Sequence, residues 1–213
     1  MKAAAGPPLK RIAFYRGRRD EVPNQVLARE LAARRDAARI REIANGLRHG
    51  EPGVQSDCLK VLYEVGYLRP ELIAKYTPDF TRLLAGRNNR LVWGAMTALA
   101  AVAQVRPKAI YGHRREIIPA MKAGSVITVD QAVLALTRTA ASSPSRRRDL
   151  LPVLYRHLST CRPKDVPQHA EKIAPAVDKK GRARCIAILS RRMPEMPVSQ
   201  RSRVRKLIRH VEG

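Results

Sequence analysis

The sequence predicts an all-α fold, a solenoid of about five stacked helical hairpins behind an amino-terminal capping helix. Three observations predict it. The chain of 213 residues is 45% apolar but only 4% aromatic, and its apolar content is mostly Ala and Leu, which favours close helix packing over strand-rich layers. Pro70, Pro107 and Pro144 recur at a spacing of 37 residues. Ahead of each proline the same apolar columns return: Leu59, Met96 and Val133, then Leu62, Leu99 and Leu136, then Val65, Val102 and Thr139. That spacing of three is the inward stripe of an amphipathic helix, and a repeat of this length is a helical hairpin that buries its apolar face only by stacking on neighbours.

Residues 1–20 read as a basic, poorly structured arm, interrupted at Gly6-Pro7-Pro8, and residues 21–213 as a single helical repeat domain. The stretch 24–35 is the capping helix. Hairpins follow at 36–66, 77–104, 114–141 and 149–178, and a last one joins 181–192 to 199–211. Thr77-Pro78-Asp79 supplies an N-cap, a proline at the first helical position and an acid in the first turn. Gly86, Gly124 and Cys161 mark the ends of successive outer helices. Thr128 with Gln131 has the form of a capping box.

The segments "PELIAKYTPDFTRLLAGRNNRLVWGAMTALAAVA" and "IIPAMKAGSVITVDQAVLALTRTAA" resemble the HEAT-repeat (armadillo-like) family over roughly residues 36–211. The resemblance implies a right-handed α-solenoid whose helices near 54–66, 90–104, 127–141 and 166–178 line the concave face. It implies little about function, because the motif is one of packing.

Lys and Arg number 42 against 18 Asp and Glu, a formal charge of +24. Arg outnumbers Lys 31 to 11, which codon bias explains; the excess of base over acid it does not explain, and that excess points to a polyanionic partner. Residues 1–48 contribute +7, 49–178 contribute +8 and 179–213 contribute +9. Within the middle the bases gather where inner helices end: Arg69; Arg106 and Lys108 with Arg114 and Arg115; Arg146, Arg147 and Arg148; then Lys179, Lys180, Arg182 and Arg184. Equivalent turns of stacked repeats fall on one edge, so these twelve residues are the expected phosphate-binding ladder. The solvent-facing positions expected on the inner helices, among them Asp57, Lys60, Glu64, Trp93, Gly94, Thr97, Asp130, Gln131, Arg138 and Glu171, are mixed in charge. Few aromatic residues are present to stack single-stranded bases, which favours duplex or structured backbone.

The expected function is that of a non-enzymatic scaffold docking nucleic acid, duplex DNA above all, on a basic edge; the alternative is a scaffold for an acidic protein. A further alternative comes from similarity in fold and charge to HEAT-like alkylpurine DNA glycosylases, which implies a Trp, Asp and Arg pocket. Trp93 is followed one turn later by Thr97, however, and Asp130 and Arg138 belong to the next repeat, so no catalytic residue is assigned. His157, Cys161, His169 and Cys185 are metal-capable but match no zinc spacing. They are expected to be buried thiols and satisfied imidazoles, with no metal or cofactor. No small-molecule site is evident, and no phosphate loop, nucleophile elbow or HExxH helix is present. Three widely spaced cysteines suit a reduced, cytoplasmic protein. No run of about 18 apolar residues provides a membrane span. The last helix, with Val204, Leu207, Ile208 and Val211 on one stripe, is expected to pack on the preceding repeat.

Overall fold

The computed structural model describes residues 6–212. Thirteen α-helices and six 3-10 turns make up the secondary structure of the described residues, with no strand. In order they are α1 (Val22–Arg34), α2 (Ala37–His49), α3 (Pro52–Leu68), α4 (Pro70–Ile73), α5 (Thr77–Leu83), α6 (Asn89–Val102), α7 (Pro107–Gly112), α8 (Arg114–Ala123), α9 (Val126–Ala141), α10 (Pro144–Thr160), α11 (Val166–Ile173), α12 (Arg182–Arg192) and α13 (Val198–Glu212). The chain divides into two compact units, Met1–Ala132 and Val133–Gly213.

The repeat register is visible in both units. Pro70, Pro107 and Pro144 each open a helix at its first position, where a missing N–H costs nothing and φ is already helical. The three apolar columns are buried throughout, every member at most 1% exposed. The one polar member, Thr139, donates its hydroxyl to the Ala135 carbonyl at 2.8 Å and so leaves no unsatisfied group in the core.

In the first unit α3 is the central element, packed against α1, α2 and α6. It is apolar on nearly all sides because it is covered on nearly all sides: Val54, Cys58, Leu59, Val61, Leu62, Tyr63 and Val65 are all buried. Helix α2 approaches α3 closely at Gly46, where a Cβ would lie 2.7 Å from Cys58 Sγ and 2.8 Å from Leu9 Cδ2.

The segment expected as an arm folds onto this core. Pro8–Arg11 and Phe14–Arg16 form 3-10 turns, and Ile12 and Ala13 between them are 0% and 3% exposed. Asn24 Oδ1 accepts from the Ala13 N–H at 2.9 Å, Asp57 Oδ2 accepts from the Phe14 N–H at 2.7 Å, and Arg11 reaches both Glu30 oxygens at 2.9 Å. Residues 1–5 of the expected arm lie outside the described residues.

The exposure expected on the inner helices is corrected in part. Asp57, Lys60, Thr97 and Gly94 are buried, not solvent-facing. Asp57 is taken up by the strap, Lys60 lies between Glu21 at 2.8 Å and Glu64 at 2.7 Å, and Gly94 sits against Leu59. Burial alone would pull the Lys60 ammonium's pKa down; hydrogen bonds to the two carboxylates outweigh it and hold the pKa above that of an ordinary lysine.

Two expected caps also differ. A 3-10 turn over Ala74–Tyr76 runs straight into α5, so Thr77 is already helical and its hydroxyl donates back to the Ala74 carbonyl at 2.7 Å. At α9 the cap is Ser125, whose Oγ accepts from the Thr128 N–H at 3.4 Å and meets Thr128 Oγ1 at 3.1 Å; Thr128 stands one turn inside.

In the second unit α10 packs on α11 and α12, and α13 packs on α11 and α12 as its stripe predicts, burying Val204 and Val211. Helix α10 starts five residues before the expected 149, because Ser143 caps it by accepting from the Arg146 N–H at 3.3 Å and Pro144 follows. Its carboxyl end is closed by Arg192, 5% exposed, which donates to the Leu158 carbonyl at 2.8 Å and the Cys161 carbonyl at 2.7 Å while Glu195 balances its charge at 2.8 Å.

Candidate polyanion-binding surface

Most acids of the chain are engaged in holding it together. Arg48 grips both oxygens of Asp79, at 2.8 and 2.6 Å, and Arg35 meets Glu71 at 3.0 Å, so α2 is tied to α5 and the end of α1 to α4. Glu21 joins Lys60 of α3 to Arg90 of α6, at 2.8 and 3.1 Å. In the second unit Arg203 of α13 pairs with Glu171 of α11, and Arg162 with Asp165 at 2.7 Å. With its carboxylates committed in this way, the chain carries its surplus base on the surface.

Among the twelve residues expected to contact phosphate, Arg69, Arg106, Lys108, Arg115, Lys179 and Lys180 are exposed and have no ion-pair partner among the described residues. In the first unit Arg69 and Arg106 are equivalent residues, each between the end of an inner helix and a proline-started helix. Their helices, α3 and α6, pack on each other, so the two positions repeat along one side of that unit. Arg114 lies 4.3 Å from the Tyr111 ring centre and donates to the Tyr111 carbonyl at 3.1 Å, which fixes its stem and leaves it half-buried.

In the second unit the start of α10 and the segment 178–182 are brought together. Tyr155 donates to the Gly181 carbonyl at 3.0 Å, and Arg147 lies 3.7 Å from Asp178. The arginine run therefore divides. Arg148 has a 79% exposed side chain, 4.0 Å from Asp149, Arg146 reaches the Ser142 hydroxyl at 2.8 Å, and Arg147, 23% exposed, lies against Asp178. The run sits in the first turns of a helix, not in a connecting turn as expected. Arg182 donates to the Glu212 carbonyl at 3.0 Å, and Arg184 lies 5.6 Å from the Tyr155 ring centre. Arg184 and Arg191 also line an open cleft of about 310 Å³ with Ser159, Ala187 and Ile188.

Trp93 is half-buried, its ring centre 5.9 Å from that of Tyr63, and its carbonyl accepts from Thr97 at 2.8 Å. These contacts make it a packing residue of α3 and α6.

Of the four metal-capable residues the structure brings three together and leaves Cys185 apart. His157, Cys161 and His169 place their ligand atoms within 4.8 Å of one another, and His157 Nε2 lies 2.9 Å from His169 Nδ1. Burial, and then the neighbouring imidazole, pull the His157 pKa down to about 4; burial pushes the Cys161 thiol up to about 11. The i, i+4 spacing of His157 and Cys161 marks two of the three members of this cluster in the sequence; the third comes from another helix.

No known family profile matches the sequence, and no curated protein matches it. Solved structures do match. A designed armadillo repeat protein in complex with the peptide (KR)4 has a TM-score of 0.65 at 14% identity, covering 98% of each chain. Computationally designed armadillo repeat proteins for modular peptide recognition have a TM-score of 0.63 at 14% identity, over 96% of this chain and 99% of theirs. An engineered protein matches at 0.64, again with 14% identity, over 98% and 97%. The fold is thus an armadillo-like, HEAT-like α-solenoid. No described helix is long and apolar enough to cross a membrane.

Proposed function

We propose that this chain is a non-enzymatic repeat scaffold that binds nucleic acid, duplex in preference to single strands, through backbone phosphates. The observation that carries the reading is the division of charge: carboxylates tied into ion pairs between helices, and Arg69, Arg106, Lys108, Arg115, Lys179 and Lys180 exposed without a counter-charge among the described residues. Such bases are hydrated and mobile, and each that meets a phosphate releases a condensed counterion. Contacts of this kind read no base sequence, and among the described residues no helix carries the base-reading side chains of a recognition helix in an identifiable pattern.

An acidic polypeptide is the second reading, favoured by the peptide-binding role of the designed relatives. One of those is bound to a basic peptide; a chain of charge +24 calls for the opposite sign. Fluorescence anisotropy of the purified protein against a labelled duplex, the same strand alone and a labelled poly-glutamate peptide at matched salt separates the two. Tightest binding to duplex, with affinity falling steeply as salt rises, supports the nucleic-acid reading. Tightest binding to the peptide transfers the surface to an acidic protein partner.

A further inference from the structure

We propose that His157, Cys161 and His169 form a binding site for one zinc-class divalent ion. The two imidazole nitrogens that face each other, His157 Nε2 and His169 Nδ1, are 2.9 Å apart, and Cys161 Sγ completes a triangle of donors within 4.8 Å. Zinc bonds of about 2.0–2.1 Å to nitrogen and about 2.3 Å to sulfur place tetrahedral ligands roughly 3.3 Å (N to N) and 3.6 Å (N to S) apart. For an ion to replace the hydrogen bond, the imidazole pair has to open by about 0.4 Å and the sulfur, within 4.8 Å of the nitrogens, has to close to about 3.6 Å.

The frame around the donors is built. His157 and Cys161 stand one turn apart at the end of α10, and His169 enters from α11, buried to 4% exposure. Arg192 holds that end of α10 through the Leu158 and Cys161 carbonyls, so the backbone bearing the thiol is fixed before any ion arrives. Cys161 is half-buried, while Cys58 and Cys185 are buried. The site thus offers two nitrogens and one sulfur, and water takes the fourth position. Two nitrogens with a thiolate suit zinc over calcium or magnesium, which prefer oxygen.

Binding balances as follows. The imidazole that donates in the His157–His169 hydrogen bond moves its proton to its other ring nitrogen, which frees both facing lone pairs. Cys161 gives its thiol proton to solvent, and no electron is transferred. One proton is released per ion bound.

Cobalt(II), added alone to the full chain stripped with chelator, is the probe. One equivalent should produce a thiolate-to-cobalt charge-transfer band in the near ultraviolet and the intense visible bands of a tetrahedral centre, both displaced by zinc. Zinc should also raise the melting temperature. Cys161→Ser keeps the size of a half-buried side chain; it should abolish the charge-transfer band and weaken zinc at least about tenfold, since even outer-shell losses cost that much. His169→Asn should do the same where it folds, and Cys161→Ser decides the matter where it does not. A native chain without the charge-transfer band overturns the proposal. So does a Cys161→Ser chain that keeps it, since the ion would then sit on another thiol.

Discussion

Replacing Arg146, Arg147 and Arg148 together with Gln tests the proposed surface at its densest point. Counted from sequence, three arginines meet three phosphates and the salt slope of log affinity falls by about 2.7. The structure reduces that number. Arg147 already has Asp178 at 3.7 Å, with its side chain 23% exposed, whereas Arg146 and Arg148 are not held by a strong partner. Two contacts at about 0.9 each lower the slope by about 1.8, so between roughly 50 and 200 mM salt the native protein should lose about 12-fold more affinity than the variant. Folding should change little. The lost Arg147–Asp178 pair is worth at most about 1 kcal/mol, and removing cations from the first turns of α10 relieves an unfavourable interaction with the helix dipole of about 0.3–1 kcal/mol each. Affinity for two unrelated duplexes across a salt series, with thermal melts of both proteins, makes the measurement. An unchanged slope refutes the role of the run. A fall of about 2.7 refutes the commitment of Arg147 to Asp178, as would any slope change from Arg147→Gln alone.

Asn24→Ala leaves the buried Ala13 N–H without its acceptor and should cost about 1–3 kcal/mol in urea unfolding, with the strap the first region to lose hydrogen-exchange protection. Gly46→Ala sets a helix-propensity gain of about 1 kcal/mol against overpacking of about 1–3 kcal/mol where the new Cβ meets Cys58 and Leu9, so a net loss near 1 kcal/mol is expected; a gain would mean that both neighbours move freely. Leu99→Ala, at 0% exposure in the repeated column, should cost about 2–5 kcal/mol, and a cost below 1 would argue against a shared core in the first unit. Burial pushes the Cys58 thiol from 9.0 to about 12, so the folded state keeps a proton that the unfolded state releases. Its contribution is complete below pH 9 and declines as pH rises towards 12; melting in alkaline buffer should therefore fall less steeply in Cys58→Ala than in the native chain.

The repeat was legible because its signals are local. A proline fits a helix most readily in its first turn, although Pro119 and Pro152 stand inside α8 and α10, so three at one spacing mark three helix starts, and the columns ahead of them have to be buried wherever the hairpins pack. The strap was not legible, because nothing local holds it. Ile12, Ala13 and Phe14 stand among bases without period, and the groups that fix Ala13 and Phe14, Asn24 and Asp57, are 11 and 43 residues away from them respectively. Asp57 looks like a surface acid in its own helix for the same reason. The start of α10 was missed because three successive arginines read as a solvated turn, while the capping Ser143 and the following Pro144 outweigh their repulsion. His157, Cys161, His169 and Cys185 were singled out in the sequence as metal-capable, but which of them meet was not legible, because His169 is brought in by the packing of α11 on α10, which a spacing pattern within one segment does not encode.

Acids that join helices and bases that face water make the two signs of charge independently mutable. Changing Asp79 or Glu71 strikes the joints between helices, whereas changing the six unpartnered bases to Gln takes the formal charge from +24 to +18, since 24 − 6 = 18, without removing an ion pair. A lineage carrying this architecture can therefore drift through many surface charges, and through partners of different charge density, while its helices remain joined as they are.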